Sequence, residues 1–258
     1  MQHFRTIRTI ARASILETVR RKDVYVVLIL AGLMMAAGGV FQVLGVKDLD
    51  TILRDVSLAV VSLMSTLLCV VLAVRQFPEE IQRRTLYPLL ARPISRWHLV
   101  IGKYLGAVAM SVSALALLML IAWANLAMLN IPVGAIIWQY LLLRVMAILV
   151  VSALALLLSL LLTPAAALTV TLLVVVGAST FSNTLLLLPP TVPPALLFLL
   201  RAAYFALPHI DLFDLRDKVT YSWPPIPGWT VGFLVAYGLF YTSLFLGLAV
   251  YRFRRQML

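Results

Sequence analysis

The chain has 258 residues, of which 63% are hydrophobic and 12% charged, against about half and a quarter in ordinary soluble domains, so a soluble enzyme is excluded. Its 21 Lys and Arg against 10 Asp and Glu leave a formal net charge of +11. Whether that charge marks a nucleic-acid surface or the inner face of a membrane protein depends on where the cations sit.

The first stretch, residues 1–23, reads as a basic amphipathic helix on the membrane surface. Phe4, Ile7, Ile10, Ala11 and Ile15 recur at helical spacing, while Arg5, Arg8, Arg12 and Arg20 occupy other faces. A transit peptide is the competing reading of such a start, and Glu17 and Asp23 oppose it.

A hydrocarbon core of about 30 Å takes roughly 20 apolar helical residues to cross. Six segments supply them: 24–46, 56–74, 104–129, 136–162, 164–188 and 229–251. No small-residue cleavage pattern follows the first, so it is expected to stay in the membrane. The fourth and fifth come from one run whose only charge is Arg144. A single helix from Val145 to Leu188 would be about 66 Å long, twice the core, so the run is a hairpin. Thr163-Pro164 is its predicted turn, because a residue before proline avoids the helical region and proline suits the first position of the next helix.

Between spans five and six, residues 189–228 form a proline-rich segment. Its apolar piece, Ala195 to Leu207, is bounded by Pro194 and Pro208 and is too short to cross. It reads as a re-entrant or interfacial helix over the mouth of the bundle, followed by a short polar helix around Leu212 to Val219.

An even number of spans puts both termini on one side, and the positive-inside rule makes that side cytoplasmic. Its cations are Arg5, Arg8, Arg12, Arg20, Arg21, Lys22, Arg75, Arg83, Arg84, Arg92, Arg96, Lys103, Arg252, Arg254 and Arg255, against Lys47, Arg54, Arg201, Arg216 and Lys218 outside. The net charge therefore belongs to topology, and no nucleic-acid partner is implied. The expectation is a single all-α transmembrane domain, 1–258. The single Cys69 cannot form an intrachain disulfide.

The largest cytoplasmic feature is the segment 75–97. Glu79 and Glu80 follow Pro78, as suits a first helical turn, and Arg83 and Arg84 fall four residues later. Ile81, Leu86, Leu89 and Leu90 add an apolar component, Pro88 and Pro93 interrupt, and Ser95 is placed to cap the third span. By itself this pattern fits either a charged loop that keeps topology or a docking element.

The stretch Glu80-x4-Thr85-Leu86-x3-Leu90-Ala91-Arg92-Pro93-Ile94-Ser95-Arg96, followed by Gly102-Lys103, resembles the cytoplasmic coupling region of permease subunits of type 2 ABC transporters. The basic surface helix, the tight join of spans four and five, and Pro208-His-Ile-Asp-Leu-Phe-Asp-Leu extend the likeness over most of the chain. It is similar to the branch that includes the permeases of nitrous-oxide-reductase maturation systems. The resemblance implies a coupling helix within 79–90 that inserts into a groove on a separate ATPase subunit. Glu79, Glu80, Arg83, Arg84, Thr85, Leu86, Leu90, Arg92, Pro93, Ser95 and Arg96 would be its coupling residues. It further implies two permeases with two ATPases in a prokaryotic cytoplasmic (inner) membrane, exporting a hydrophobic or amphipathic cargo. ATP and Mg would sit on the partner, with no cofactor or metal on this chain; no G-x-x-x-x-G-K-[ST] loop occurs in it. Two positions depart from the family pattern. Arg84 stands where glycine is usual, and Pro88 stands at a helical position, so the coupling helix is expected to be short or broken near Tyr87.

Other classes give different expectations. A membrane component could use an ATPase to act on another protein without moving cargo. An intramembrane protease is suggested by Glu79-Glu80-x3-Arg84 and Phe205-x3-His209, but the topology puts these elements on opposite sides and only His3 and His98 remain to complete a site. Arg144 has two readings. Either it faces a dimer interface or cargo cavity and meets an anionic group, at an insertion cost of about 2.5 to 3.5 kcal/mol, or it snorkels outward, since Val145 to Leu162 almost suffices to cross. Trp97, Trp138, Trp223, Trp229 and Tyr251 sit near predicted span ends as interfacial anchors.

Overall fold

A computed structural model describes residues 49–78, 96–186 and 208–255, together with positions 8, 9, 11, 12, 15, 29 and 32. The described regular structure comprises helix α1 (Leu49–Arg75), α2 (Arg96–Met128), α3 (Ile137–Ser159), α4 (Pro164–Leu186), a 3-10 turn (Ile210–Phe213), α5 (Arg216–Thr220) and α6 (Gly228–Arg255). Four of these, α1, α2, α3 and α6, are long and apolar enough to cross a membrane. The chain is an all-α membrane protein. They correspond to the second, third, fourth and sixth predicted spans, and α4 to the fifth. Apart from positions 29 and 32, the first predicted span lies outside the described residues, as does the apolar piece 195–207.

The helices outrun the apolar windows that announced them. α1 begins at Leu49 and takes in Asp50, Arg54 and Asp55, while α2 begins at Arg96 and takes in Lys103. Hydropathy sees only what crosses the hydrocarbon; a helix continues as long as its ends are satisfied. Asp50 in the first turn and Arg75 in the last complement the dipole of α1. At 33 residues, α2 is about 50 Å long and must project beyond the hydrocarbon.

Both described tight connections follow local chemistry. α2 ends in a Schellman motif: Asn130 has φ 56, its N–H donates to Ala127 O at 3.1 Å, and Ile131 N–H donates to Leu126 O at 2.9 Å. Asn tolerates that left-handed conformation, and Leu126 and Ile131 make the accompanying apolar contact, joined by Leu53. The α3–α4 turn falls at the predicted place. Leu162 N–H closes on Leu158 O at 2.9 Å, Thr163 O accepts from Ala167 at 2.8 Å, and Pro164 opens α4.

α3 is the central helix, with α1, α2, α4 and α6 all packed on it. Val150 to Leu157 are buried without interruption, as a helix surrounded by protein requires. Its small residues, Ala147, Ser152, Ala153 and Ala155, let neighbouring backbones approach closely. Among the described helices α6 exposes a large apolar face, with Phe233, Leu239, Phe240, Leu244 and Leu248.

Polar residues gather at one end of this bundle. Arg54 Nη1 donates to Ser222 Oγ at 2.6 Å, Arg216 pairs with Asp55 at 3.4 Å, and Gln139 exchanges two hydrogen bonds with the Ile226 backbone. The polar helix expected around 212–219 is instead two pieces. Asp214 is extended between them, and its Oδ1 accepts from Arg216 N–H at 3.0 Å, a local bond that competes with helix continuation. Phe213 reaches in from this cap to Gly238, where an added Cβ would lie 3.2 Å from its ring. Near the other end, Ile15 packs on Leu72 and Met110. Ala11 and Ile15 are half-buried, while Arg8 and Arg12 are exposed.

Candidate functional site

Of the predicted coupling residues, Glu79, Glu80, Arg83, Arg84, Thr85, Leu86, Leu90, Arg92, Pro93 and Ser95 lie outside the described residues; Arg96 opens α2. Both roots of their segment are described. α1 ends at Arg75, and Phe77 and Pro78 turn inward and are buried. On the α2 side, Trp97 and His98 stack with ring centroids 3.7 Å apart. One turn further, Lys103 is only 3% exposed. Its Nζ donates to Gln76 O at 2.5 Å and stands 5.1 Å from the centre of the Phe77 ring. Phe77 in turn packs on Phe253 of α6, with centroids 5.2 Å apart.

The electrostatics of this joint are favourable throughout. The last carbonyls of α1 carry the negative end of its dipole, which attracts an ammonium, and the face of Phe77 adds a cation–π term. Three segments distant in sequence are thus tied at the base of the loop. From sequence, Lys103 enters as a cytoplasmic cation and, with Gly102, as part of the likeness to a coupling region, while Phe77 and Phe253 carry no mark of a shared site. A lone lysine in an otherwise apolar helix start was the available signal.

A second polar feature lies within the bundle, between α1 and α3. Ser62, Ser65, Thr66 and Cys69 share one face of α1, and Arg144, Ile148 and Ser152 share one face of α3. The Arg144 guanidinium bonds the Ser62 carbonyl and the Thr66 hydroxyl, and reaches Ser65 Oγ at 3.4 Å. Cys69 Sγ and Ser152 Oγ share a hydrogen bond of 3.0 Å, and Tyr104 OH donates to Leu149 O at 3.2 Å from α2. Arg144 is 5% exposed. It is held inside the bundle by α1 and does not snorkel to the interface. No carboxylate among the described residues pairs with it.

The elements that suggested a protease stand apart. His209 is bonded through its backbone N–H and Nδ1 to Tyr237 OH at 3.1 and 3.3 Å in the polar cap, whereas His98 belongs to the loop root. The described residues contain no cluster of three or more His, Cys, Asp or Glu suited to a metal ion.

The profile of a family described as protein of unknown function (DUF2705) matches residues 24–256, and the chain belongs to that family. No curated protein matches it. The match takes in every predicted span and the coupling segment, and begins where the amphipathic stretch ends.

Proposed function

We propose, from the likeness of residues 79–96 to a coupling region, that the chain is the permease subunit of an ATP-driven transporter of the type 2 ABC kind. In this reading it has six spans, both termini in the cytoplasm, and works as a homodimer with two ATPase subunits in a prokaryotic inner membrane. The observation that carries it is the buried joint of Lys103, Gln76, Phe77 and Phe253 beneath a segment that resembles a coupling region. A loop that only keeps topology needs no buried cation at its base. A loop that receives a push does, because the push must reach the helices without being lost in local bending.

ATP and Mg are held by the partner, whose closure displaces residues 79–95. The joint passes that displacement to α1, α2 and α6 together, and the bonds from Arg144 to Ser62 and Thr66 tie α1 to the central α3. ATP-bound and ATP-free partners thereby bias two arrangements of the bundle, and the cargo is hydrophobic or amphipathic. Affinity purification in mild detergent is the test: a stoichiometric protein with a phosphate-binding loop is expected, and a solitary oligomer would overturn the reading. Glu80→Arg together with Arg84→Glu should abolish that recovery while leaving the chain in the membrane.

A further inference from the structure

We propose that the groove between α1, α4 and the 3-10 turn binds a zwitterionic amphiphile, with its phosphate on Arg144, its primary ammonium on Asp211 and its tail along the aliphatic wall. The groove has a volume of about 340 Å³, within the range of ligand pockets. Leu63, Leu67, Leu172, Val175 and Val176 form its apolar wall. Leu63 is 55% and Val176 64% exposed, so this wall opens toward the lipid side.

Arg144 supplies the anion site. Its Nε and Nη2 are committed to α1, and among the described residues Nη1 has no hydrogen-bond partner. A buried guanidinium with neutral partners and two uncommitted N–H groups fits a phosphate, which offers several oxygens in the plane of the fork. It also has a reason to keep its charge in the membrane, because a bound anion offsets the insertion cost.

The mouth carries the opposite sign. Asp211 and Asp214 line it with Arg216, but Arg216 is engaged by Asp55 and Asp217, at 3.4 and 3.6 Å. Asp214 Oδ1 accepts from the Arg216 backbone, whereas Asp211 Oδ1 is buried without a hydrogen-bond partner. An unsatisfied buried carboxylate oxygen demands an N–H or O–H donor. Asp211 lines the groove, and its terminal torsion is of the broad, roughly two-fold kind that lets either carboxylate oxygen face a donor there.

The groove therefore presents aliphatic carbon facing the lipid, a cation buried beside it, and acids from the 3-10 turn and the extended residue after it. A phospholipid offers a group for each: a tail for the aliphatic wall, a phosphate for Arg144 and an ammonium for Asp211. A primary ammonium can donate to Asp211; a quaternary one has no N–H to give. A phosphoglycerol headgroup can offer Asp211 only neutral hydroxyls, which give no charge-assisted hydrogen bond. Binding is a property of the chain alone, without ATPase or ATP, so its failure leaves the transport reading untouched.

Native mass spectrometry of the full chain in detergent tests this with four probes: lysophosphatidylethanolamine, lysophosphatidylcholine and lysophosphatidylglycerol of equal chain length, and tail-less phosphoethanolamine. The ethanolamine lysolipid is expected to bind at least about tenfold more tightly than the other three, as one hydrogen bond to a buried charge permits. Asp211→Asn should reduce its advantage over the choline lysolipid to about twofold. Arg144→Met should weaken all three lysolipids. Leu172→Trp, which fills the groove and leaves the polar groups alone, should do the same in a chain with unchanged circular dichroism. Equal binding of ethanolamine and choline probes, an unchanged preference in Asp211→Asn, unimpaired binding in Leu172→Trp, or phosphoethanolamine binding as tightly as its lysolipid would each overturn the proposal.

Discussion

Lys103 and Arg144 are both cations buried to within 3% and 5% of full exclusion, yet they are held by different means. Lys103 sits about 10 Å, two turns, into α2, as far as Arg144 does into α3, but beside the C-terminal carbonyls of α1, with a carbonyl and a ring face as partners. Dipole, hydrogen bond and ring all favour the charge there, and the aliphatic stem fills the joint. Arg144 lies about 10 Å into α3, where its partners are a carbonyl and hydroxyls that can also satisfy each other. Thr66 Oγ1 donates to Ser62 O at 2.8 Å and Ser65 Oγ to the same oxygen at 3.1 Å. The first cation completes its surroundings. The second has surroundings that would close without it, which is the mark of a charge kept for something other than folding.

The joint is expected to be the more sensitive of the two. Phe77→Ala should lower stability by about 3 to 5 kcal/mol, as large-to-small changes of buried aromatics do, measured by unfolding in mixed micelles. It removes the shared neighbour of Lys103 and Phe253 and so loosens α2 and α6 together. Unfolding close to wild type would show that the joint is not a tie. Next comes Lys103→Met, which keeps the stem and loses the charged hydrogen bond and the ring contact; about 1 to 3 kcal/mol should be lost. Arg144→Met should differ in sign. The gain from removing a charge from the membrane offsets the lost hydrogen bonds, and stability should be unchanged or raised by about 1 kcal/mol. If Arg144→Met costs as much as Lys103→Met, the two cations are of one kind and the contrast between them fails.

What could be read from residues alone follows the same division. The apolar runs announce α1, α2, α3, α4 and α6, and Thr163-Pro164 marks the hairpin, because both signals are local. Hydropathy places the starts of α1 and α2 seven and eight residues late, because polar residues such as Asp50 and Arg96 extend a helix without adding hydropathy. The joint could not be read, since it depends on Gln76, Lys103 and Phe253 meeting across more than 150 positions. Arg144 was singled out as the one charge in a span, but its direction was open. Only the packing of α3 on the Ser62, Ser65 and Thr66 face of α1 turns it inward. That face carries a signal in the sequence, four small polar residues, Ser62, Ser65, Thr66 and Cys69, at spacings of three and four. The segment 79–95 carries the family resemblance and lies outside the described residues, so its test is biochemical.

The smallest expected effect probes the bond between α1 and α3 itself. Thr66→Val is close in shape and removes one hydroxyl that Arg144 bonds and that also donates to Ser62 O. Side-chain hydrogen bonds between membrane helices average about 0.6 kcal/mol, so the loss in micelle unfolding should be of that size. The substitution frees a further N–H of Arg144 toward the groove, and the valine adds no competing acceptor. Binding of the ethanolamine lysolipid should therefore be retained or strengthened by about twofold while stability falls slightly. A matched fall in both would mean that Thr66 orients Arg144 for the headgroup, and that the hydroxyls of α1 serve the groove as well as the packing.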